Sequence, residues 1–301
     1  MKKCLFVAGI VFCLFVLTLG AGAAENYLLA RFRVPIQQDR DVYMPGGTGD
    51  ELTTCTYFQR SWSPVSPTLG WLANQFKAPD IATPPVPGPE GSKALYGNSN
   101  DGASTREGYW MQLVNPISGS FTFETFFYLD VLNPLYAEYK MQNIVSSFWM
   151  SNYKELELRY FGTSSVLTPA GTIQLMTKDG TTEHNVTSST GLIAADTWYY
   201  AAVVYDHGAS QISFYLADAS DADNIIPSLI GTANPNWGSF TMQWLCLGAW
   251  PNPAGSCRDI TGYIDAFGLS FTNLSPPNFL LLNLPEIPVP AQAEAIWSLY
   301  E

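Results

Sequence analysis

The sequence has little of the chemistry from which most active sites are built. Its 301 residues include two histidines, His184 and His207, and five cysteines, and charged residues make up only 13% of the chain. It contains no G-x-S-x-G, H-E-x-x-H or phosphate-loop motif and no C-x-x-C pair. These absences give no support to a serine hydrolase, a zinc or thioredoxin-like site or a nucleotide-binding loop. With two histidines in the chain, acid–base catalysis by histidine also has little support.

Basic residues are also scarce. Fourteen lysines and arginines stand against 26 aspartates and glutamates, so the formal net charge is −12. A chain this acidic is repelled by phosphate backbones, and we therefore expect no nucleic-acid partner. Hydrophobic residues at 47% can supply a sizeable core, and 24 glycines with 21 prolines are typical of many short strands and turns.

Residues 1–23 have the composition of a secretory signal peptide. Lys2 and Lys3 form the positive region, Leu5 to Leu17 the apolar region, and Ala21-Gly22-Ala23 the small-residue cleavage site. An uncleaved anchor is the alternative, because Cys4 to Ala24 carries no charge and is nearly long enough to span a bilayer. We expect cleavage after Ala23, a secreted or cell-surface protein, and no membrane span after cleavage.

Three cysteines follow the signal peptide, at Cys55, Cys246 and Cys257. In an oxidising compartment a Cys246–Cys257 disulfide would close a loop rich in glycine and proline and leave Cys55 unmatched. Three partly buried thiols are the alternative, since sequence does not give cysteine connectivity.

The clearest structural signal is a β-hairpin within Thr197 to Asp218. Trp198 to Tyr205 is β-branched and aromatic throughout, and Gln211 to Leu216 alternates polar and apolar residues. The connection contains Gly208, for which we expect the positive φ of a tight reversal. A first strand that is apolar on both faces predicts a central strand in a sheet that is covered on both sides.

Further strand-like segments follow at steady intervals with few helical patterns between them, which predicts an all-β, two-sheet antiparallel β-sandwich of the jelly-roll type over residues 24–275. The segments are Asn26–Val34, Glu107–Val114, Ser120–Leu129, Asn143–Met150, Glu155–Phe161, Thr172–Thr177, Gln243–Ala249 and Thr261–Phe271. Prolines in residues 82–91 predict an exposed connector. Residues 276–301 predict a C-terminal tail, with a short helix at Ala291–Tyr300.

Several segments also match a known pattern in order and spacing. They are Gly88–Leu95, Gly119–Leu129, Trp198–Asp206 with Ile212–Leu216, Leu245–Gly248, Gly262–Leu269 and Leu274–Pro276. Together they resemble the laminin-G-like jelly roll of the concanavalin A-like lectin/glucanase superfamily. The resemblance implies a concanavalin A-like fold, whose members range from sugar-binding modules to glycosidases and adhesion domains, so that fold alone does not settle function.

Catalytic residues are not assigned from the sequence. A glycosidase on this scaffold needs two or three carboxylates that point into one groove. Glu155 and Glu157 alternate along one strand, but Arg159 takes the third position, and this pattern is typical of a solvated face. The Gln-x-His pattern of the polysaccharide-lyase branch is absent.

Calcium is the ion that the sequence favours. Asp218, Asp221 and Asp223 lie close together in an oxygen-rich loop, for which a solvated acidic loop is the alternative. By strand parity Asp265 shares a face with Tyr263 and Phe267, which we expect in the core, so its carboxylate needs a partner or a cation. The resemblance implies a calcium-binding aspartate here, and the alternative is a carboxylate that accepts backbone N–H bonds.

Exposed aromatic rings beside polar groups are typical of sugar recognition, and Trp71, Trp237 and Trp250 lie in loop-like contexts. The alternative is that these rings plug the ends of the sandwich. We interpret the chain as a secreted, monomeric, non-catalytic module that binds carbohydrate. A polysaccharide-degrading hydrolase or lyase with a non-standard site is one alternative, and a structural or adhesion protein of the cell envelope that binds an extracellular protein is another.

Overall fold

The computed structural model describes the chain in segments, which are residues 27–31, 42–43, 55–60, 76–77, 80–89, 94–98, 106–107, 109–135, 140–150, 154–165, 168–249 and 259–283. The predicted signal peptide, Trp71, Trp250, Cys257 and the predicted helix at Ala291–Tyr300 lie outside the described residues.

The described residues are dominated by strands, as the turn-rich composition predicts. They form β1 (Tyr27–Arg31), β2 (Val42–Tyr43), β3 (Cys55–Arg60), β4 (Phe76–Lys77), β5 (Asp80–Ala82), β6 (Ala94–Asn98), β7 (Arg106–Glu107), β8 (Tyr109–Ile117), β9 (Phe121–Leu129), β10 (Met141–Met150), β11 (Lys154–Phe161), β12 (Thr172–Asp179), β13 (Thr182–Thr187), β14 (Trp198–Asp206), β15 (Gln211–Asp218), β16 (Ser228–Ala233), β17 (Met242–Leu247) and β18 (Thr261–Ser270). A 3-10 turn (Pro276–Asn278) and a short helix, α1 (Leu280–Asn283), follow.

The strands build two sheets. In the first sheet the order is β16-β15-β14-β9-β18-β1-β2, and β6 pairs with the start of β18 and carries β5. In the second sheet the order is β13-β12-β11-β10-β17-β8-β3, and the strand pairs described in both sheets are antiparallel. A separate parallel pair joins β4 and β7. The two-sheet antiparallel β-sandwich is confirmed.

The main core lies between the two sheets. The first sheet contributes residues such as Phe123, Val203 and Phe214, and the second contributes residues such as Leu158 and Leu175, all fully buried. Strand β14 pairs with β9 on one side and β15 on the other, and Trp198 to Tyr205 is buried throughout. The predicted central strand is therefore confirmed, because its apolar side chains are needed on both faces.

The turn of the hairpin differs from the expectation. Positive φ occurs at Ser210 (φ 49°) and not at Gly208. Asp206 Oδ1 accepts the N–H of Ala209 at 3.0 Å, which holds the first part of the turn in place. The chain therefore completes its reversal at the last loop residue, next to β15.

The outer face of the first sheet is a second aromatic and apolar layer. It includes Phe126, Trp198 and Tyr200, and it is covered by residues 276–283, which we call the C-terminal segment. The Phe279 ring of this segment is fully buried, with its centroid 6.0 Å from that of Tyr200. The first part of the predicted tail thus docks on the sheet. Neither helical element in the described part of the chain has the length or apolar character that crossing a bilayer requires.

The proline-rich connector lies over the same outer face. The indole Nε1 of Trp198 donates a hydrogen bond to the carbonyl oxygen of Val86 at 2.9 Å. Pro84 is buried and Val86 is exposed, so one side of the connector packs on the sheet and the other faces solvent. Gly88 has no space for a Cβ, because the Asp265 carboxylate and the Trp198 ring lie against it.

Candidate functional site

The outer face of the second sheet carries a row of polar and charged side chains, formed by Asn143, Glu157, Arg159 and Gln174, which we call the polar face. In the strand register Arg159 of β11 lies opposite Asn143 of β10 on one side and Gln174 of β12 on the other. Side chains alternate along a strand, and Leu158 belongs to the inter-sheet core, so its neighbours Glu157 and Arg159 point outward.

The polar face is one connected hydrogen-bond network. Arg159 Nη1 donates to Glu157 Oε2 at 3.0 Å, and Asn143 Nδ2 donates to the same oxygen at 3.3 Å. On its other side Arg159 donates from Nε and Nη2 to Gln174 Oε1, at 3.1 and 2.8 Å. Gln174 Nε2 in turn donates to Thr168 Oγ1 at 3.0 Å, in the connection after β11. The network fixes the guanidinium in one orientation.

The polar face is also deeply buried. Asn143 is 0% exposed, Glu157 and Gln174 are 1% exposed, and Arg159 is 7% exposed. The expectation of a solvated face is therefore wrong at Glu157 and Arg159, whereas Glu155 is partly exposed. An ion pair away from water carries a desolvation cost that hydrogen bonds on both sides must offset. The network supplies such bonds, and this explains how charged residues persist at this depth.

Some hydrogen-bonding capacity of the polar face remains unused. A guanidinium has five N–H groups, and within the described residues Arg159 uses three of them, one toward Glu157 and two toward Gln174. The buried Oδ1 of Asn143 accepts no hydrogen bond there. Buried polar atoms are nearly always paired, so the enclosed Asn143 Oδ1 marks a place for a bound water molecule, whereas Arg159 keeps 9% of its side chain exposed.

The formal charge summed over the ionised side chains around Arg159 is slightly negative. Glu183 Oε2 lies 3.9 Å from Arg159 Nη2, and Glu155 Oε1 lies 3.1 Å from Lys178 Nζ. With the Glu157–Arg159 pair this makes three carboxylates against two cations, a formal charge of −1. Burial raises the pKa of Glu155, and the hydrogen bond and charge of Lys178 act in the opposite direction.

An aromatic ring supports the guanidinium. The Cζ atom of Arg159 lies 5.2 Å from the ring centroid of Phe161, within the range of a cation–π contact. Phe161 is two residues along the same strand and buried. The contact adds to the restraint from Gln174 and Glu157, so Arg159 is preorganised.

Sequence reasoning found part of this site. Alternation along one strand identifies Glu155, Glu157 and Arg159 in the sequence, but no local pattern identifies Asn143 or Gln174. The latter two are separated from Arg159 by 16 and 15 positions, and only the antiparallel register brings them beside it. Asn143 and Gln174 could in principle be found from the sequence, because a charged residue on a covered strand requires polar residues at the paired positions of the neighbouring strands.

Trp237 lies in the interior. It is 1% exposed, its ring centroid lies 5.0 Å from that of Tyr205 and 5.3 Å from that of Phe240, and its Nε1 donates to the Lys178 carbonyl at 2.9 Å. The ring plugs one end of the sandwich and offers no open face for a sugar, which corrects the expectation of an exposed ring. Trp71 and Trp250 remain predictions.

The acidic loop after β15 is held by short-range turn bonds. Asp218 Oδ1 accepts the N–H of Ser220 at 2.8 Å, and Asp221 Oδ1 accepts the N–H of Asp223 at 3.2 Å. All three aspartates are exposed. Within the described ranges no three His, Cys, Asp or Glu side chains are grouped for a metal ion, and calcium binding stays a prediction.

Asp265 differs from its expected position because of a bulge. The register of β18 with β9 shifts between Ile264 and Phe267, so both of these residues enter the inter-sheet core while Tyr263 lies on the outer face. The expectation that Asp265 faces the inter-sheet core together with Tyr263 and Phe267 is therefore wrong: Asp265 lies with Tyr263 on the outer face, beside Trp198, and Phe267 alone of the three enters the core, since simple alternation fails across a bulge. Its buried carboxylate lies against Gly88.

Cys246 is buried in β17, and its expected disulfide partner Cys257 lies outside the described residues. The pairing of these two cysteines, and the alternative of separate thiols, remain predictions.

Residues 97–277 match a laminin G family model described as the concanavalin A-like lectin/glucanases superfamily. The match covers more than half of the 301 residues. The chain belongs to this superfamily. A search of curated proteins finds no match.

Solved structures of similar strand arrangement include sugar-binding and pentraxin folds. The CBM40 domain of the Ruminococcus gnavus IT-sialidase, bound to α2,3-sialyllactose, is 13% identical over 54% of this chain and 80% of its own, with a TM-score of 0.38. A heptameric SAP-like pentraxin from Limulus polyphemus is 12% identical over 61% and 76%, with a TM-score of 0.37. The NanB sialidase of Streptococcus pneumoniae is 14% identical over 56% of this chain and 24% of its own, with a TM-score of 0.38. At this level of similarity the ligands of these proteins do not bear on this superfamily member.

Proposed function

We propose that this superfamily member is an exported, non-catalytic carbohydrate-binding module whose ligand contacts the polar face at Arg159, the member of that face whose side chain keeps some exposure, 9%. The observation that carries the proposal is the hydrogen-bonding capacity of Arg159, which keeps two N–H groups without a partner among the described residues. Sugar hydroxyls accept hydrogen bonds from such N–H groups.

The rigidity of the site supports the same function. Arg159 is held by Gln174, by Glu157 and by the Phe161 ring, so little side-chain freedom is lost when a ligand binds. Superfamily membership agrees with sugar recognition but does not require it. Export is supported by the composition of residues 1–23.

Polysaccharide hydrolysis is the second candidate function. Glu155 and Glu157 lie at alternate positions of β11, and burial raises the pKa of Glu155, as a proton donor requires. Against this function, each carboxylate is already bound by a cation, Glu155 by Lys178 and Glu157 by Arg159. A carboxylate held in an ion pair is a poor acid and a poor nucleophile, so binding without turnover is favoured.

A glycan array of the purified chain, run with and without a calcium chelator, tests the proposal. We expect a defined set of glycans to bind, and R159K to weaken binding of those glycans about tenfold or more, because lysine keeps the charge but loses the planar fork. E157Q should also weaken binding. E124Q is the matched control, since Glu124 is an equally buried glutamate on the first sheet and should leave binding unchanged.

Three results would overturn the proposal. Binding that R159K and E157Q leave unchanged would place the site elsewhere. Release of reducing ends from any bound glycan would show an enzyme. Binding of no glycan in either condition would favour the alternative of a structural or adhesion protein that recognises another protein.

A further inference from the structure

Two aspartates meet at one end of the first sheet. Asp130 directly follows β9, and its N–H donates to the carbonyl oxygen of Thr261, at the start of β18, at 3.0 Å. Asp196 lies in the turn before β14, and its N–H donates to the carbonyl oxygen of Leu129 at 3.0 Å. Because Leu129 is the residue before Asp130, these two bonds hold the aspartates at adjacent positions.

One oxygen of Asp130 lacks the partner that its burial requires. Asp130 Oδ1 has almost no accessible surface and accepts no hydrogen bond within the described residues. Neither Asp130 nor Asp196 forms an ion pair with a lysine or arginine in the described part of the chain. A carboxylate oxygen that is removed from water without a hydrogen bond or a cation is costly, so we expect a partner of positive charge there.

A buried tyrosine lies beside the same carboxylate. Tyr263 is 7% exposed, and its hydroxyl makes no hydrogen bond to the residues that the structure describes. In the strand register Tyr263 pairs with Tyr128, two positions before Asp130, so the side chains of Tyr263 and Asp130 are diagonal neighbours. Burial, followed by the negative charge of Asp130, raises the pKa of Tyr263 to about 12. Its hydroxyl therefore lies close to Asp130 and keeps its proton at neutral pH.

The charges that act on this cluster from the described residues are negative. Asp196 Oδ1 accepts the hydroxyl of Tyr128 at 2.9 Å, and burial together with this bond raises the pKa of Tyr128. Burial and the charge of Asp196 raise the pKa of Asp130 to about 6. No described lysine, arginine or histidine acts in the opposite direction on either group. Neighbouring carboxylates repel each other, and a cation between them relieves the repulsion.

We propose that Asp130 and Asp196 bind a calcium ion, which links the end of β9 to the turn before β14 and takes the Tyr263 hydroxyl as a further oxygen ligand. Calcium binds about six to eight oxygen atoms in flexible geometry, and water supplies those that the protein does not. With two carboxylates the site should be weak, with a Kd of about 0.1–1 mM, as in extracellular modules. Magnesium should bind less well, because it requires a nearly ideal octahedron.

This calcium site is separate from the two other places discussed for a ligand. Arg159 belongs to the second sheet, so failure of the calcium proposal leaves the proposed function standing, and the reverse also holds. In the acidic loop after β15, Asp218 and Asp221 are exposed and accept N–H groups of their own turn. That loop therefore offers a matched control, because its aspartates have the same chemistry without an enclosed oxygen.

Isothermal titration of the chelator-treated full chain with CaCl2 tests the proposal. We expect one site in the wild type, binding at least about tenfold weaker in D130N and in D196N, and unchanged binding in D218N. Y263F should weaken binding about threefold, because water can replace a neutral hydroxyl. About 10 mM calcium should raise the Tm of the wild type and of D218N by about 3–6 °C, and that of D130N by less than about 1 °C.

Stability without calcium separates a lost ligand from a damaged fold. In chelator, D130N should be at least as stable as the wild type, because the substitution removes the repulsion from Asp196. A D130N variant that unfolds at a lower temperature than the wild type in chelator would show that the carboxylate has a structural partner instead, and would overturn the inference. Calcium binding that D130N and D196N leave intact, that D218N abolishes, or that the wild type lacks would also overturn it.

Discussion

The outer faces of the two sheets each contain a buried glutamate, and the two residues have different surroundings. Glu124 of β9 lies under the C-terminal segment, and its carboxylate accepts the Tyr200 hydroxyl at 2.7 Å and the N–H groups of Leu280 and Leu281 at 2.7 and 3.0 Å. Glu157 of β11 accepts instead from two side chains of its own sheet.

Burial serves structure at Glu124, and at Glu157 it serves the recognition that we propose. At Glu124 the chain's own backbone and one tyrosine bond both carboxylate oxygens, and aromatic rings fill the remaining space. Around Glu157 the described residues leave two N–H groups of Arg159 and one oxygen of Asn143 without a hydrogen bond. Glu124 therefore fastens a segment, whereas Glu157 orients the side chain of Arg159.

The largest expected effect follows from removing the cation at Glu157. R159L should destabilise the fold by about 3–5 kcal/mol, because it leaves a buried carboxylate without its charge partner. The double variant R159L/E157L should recover most of the loss and still bind no glycan. Denaturant unfolding of the two variants measures the difference. A small effect of R159L alone would mean that the Glu157 environment tolerates an unpaired charge, as a solvated site does.

The next effect concerns the pH dependence that Glu124 imposes. Burial raises the pKa of Glu124 from 4.5 to about 7, although its hydrogen bonds to Tyr200, Leu280 and Leu281 act in the opposite direction. Between these values the folded state keeps a proton that the unfolded state has lost, so stability falls as pH rises from about 4.5 to about 7 and is flat beyond. The Glu124 contribution to that fall is about 3 kcal/mol.

Unfolding of the wild type and of E124Q across pH 4–8 isolates this contribution, since the other titrating groups cancel in the difference. The expected result is a stability curve for E124Q that lacks the Glu124 slope. Parallel curves for the two proteins would contradict the assignment of a protonated, buried Glu124 at acidic pH.

The smallest effect comes from one donor to Glu124. Y200F removes the hydroxyl that bonds Oε2 and should cost about 1–2 kcal/mol at pH 8, where the carboxylate is charged, and less at pH 5. Hydrogen exchange of the Leu280 and Leu281 amides should become faster in Y200F, because the C-terminal segment opens more often. Glycan binding at the polar face should stay unchanged, and loss of binding would show that the two faces are coupled.

Local pattern was enough to locate most of the long strands. Trp198 to Tyr205 is too apolar to be anything but a covered central strand, and the structure places it there. The strands that sequence reasoning passed over are shorter or more polar, such as β13 (Thr182–Thr187) and β16 (Ser228–Ala233), which form sheet edges. Edge strands have one exposed side and depend on a neighbour for pairing, so their own sequences carry little signal.

The alternation of Glu155 to Tyr160 predicted the strand and which side chains share a face, but not whether that face is open. Composition and a two-residue period are enough to predict the all-β class, the central apolar strands and the acidic character of the chain. The folded chain alone shows that Asn143 and Gln174 flank Arg159, that a bulge puts Phe267 and Asp265 on different faces, and that Trp237 is interior. These facts depend on strand register and on what packs over each face, and both involve residues far apart in the chain.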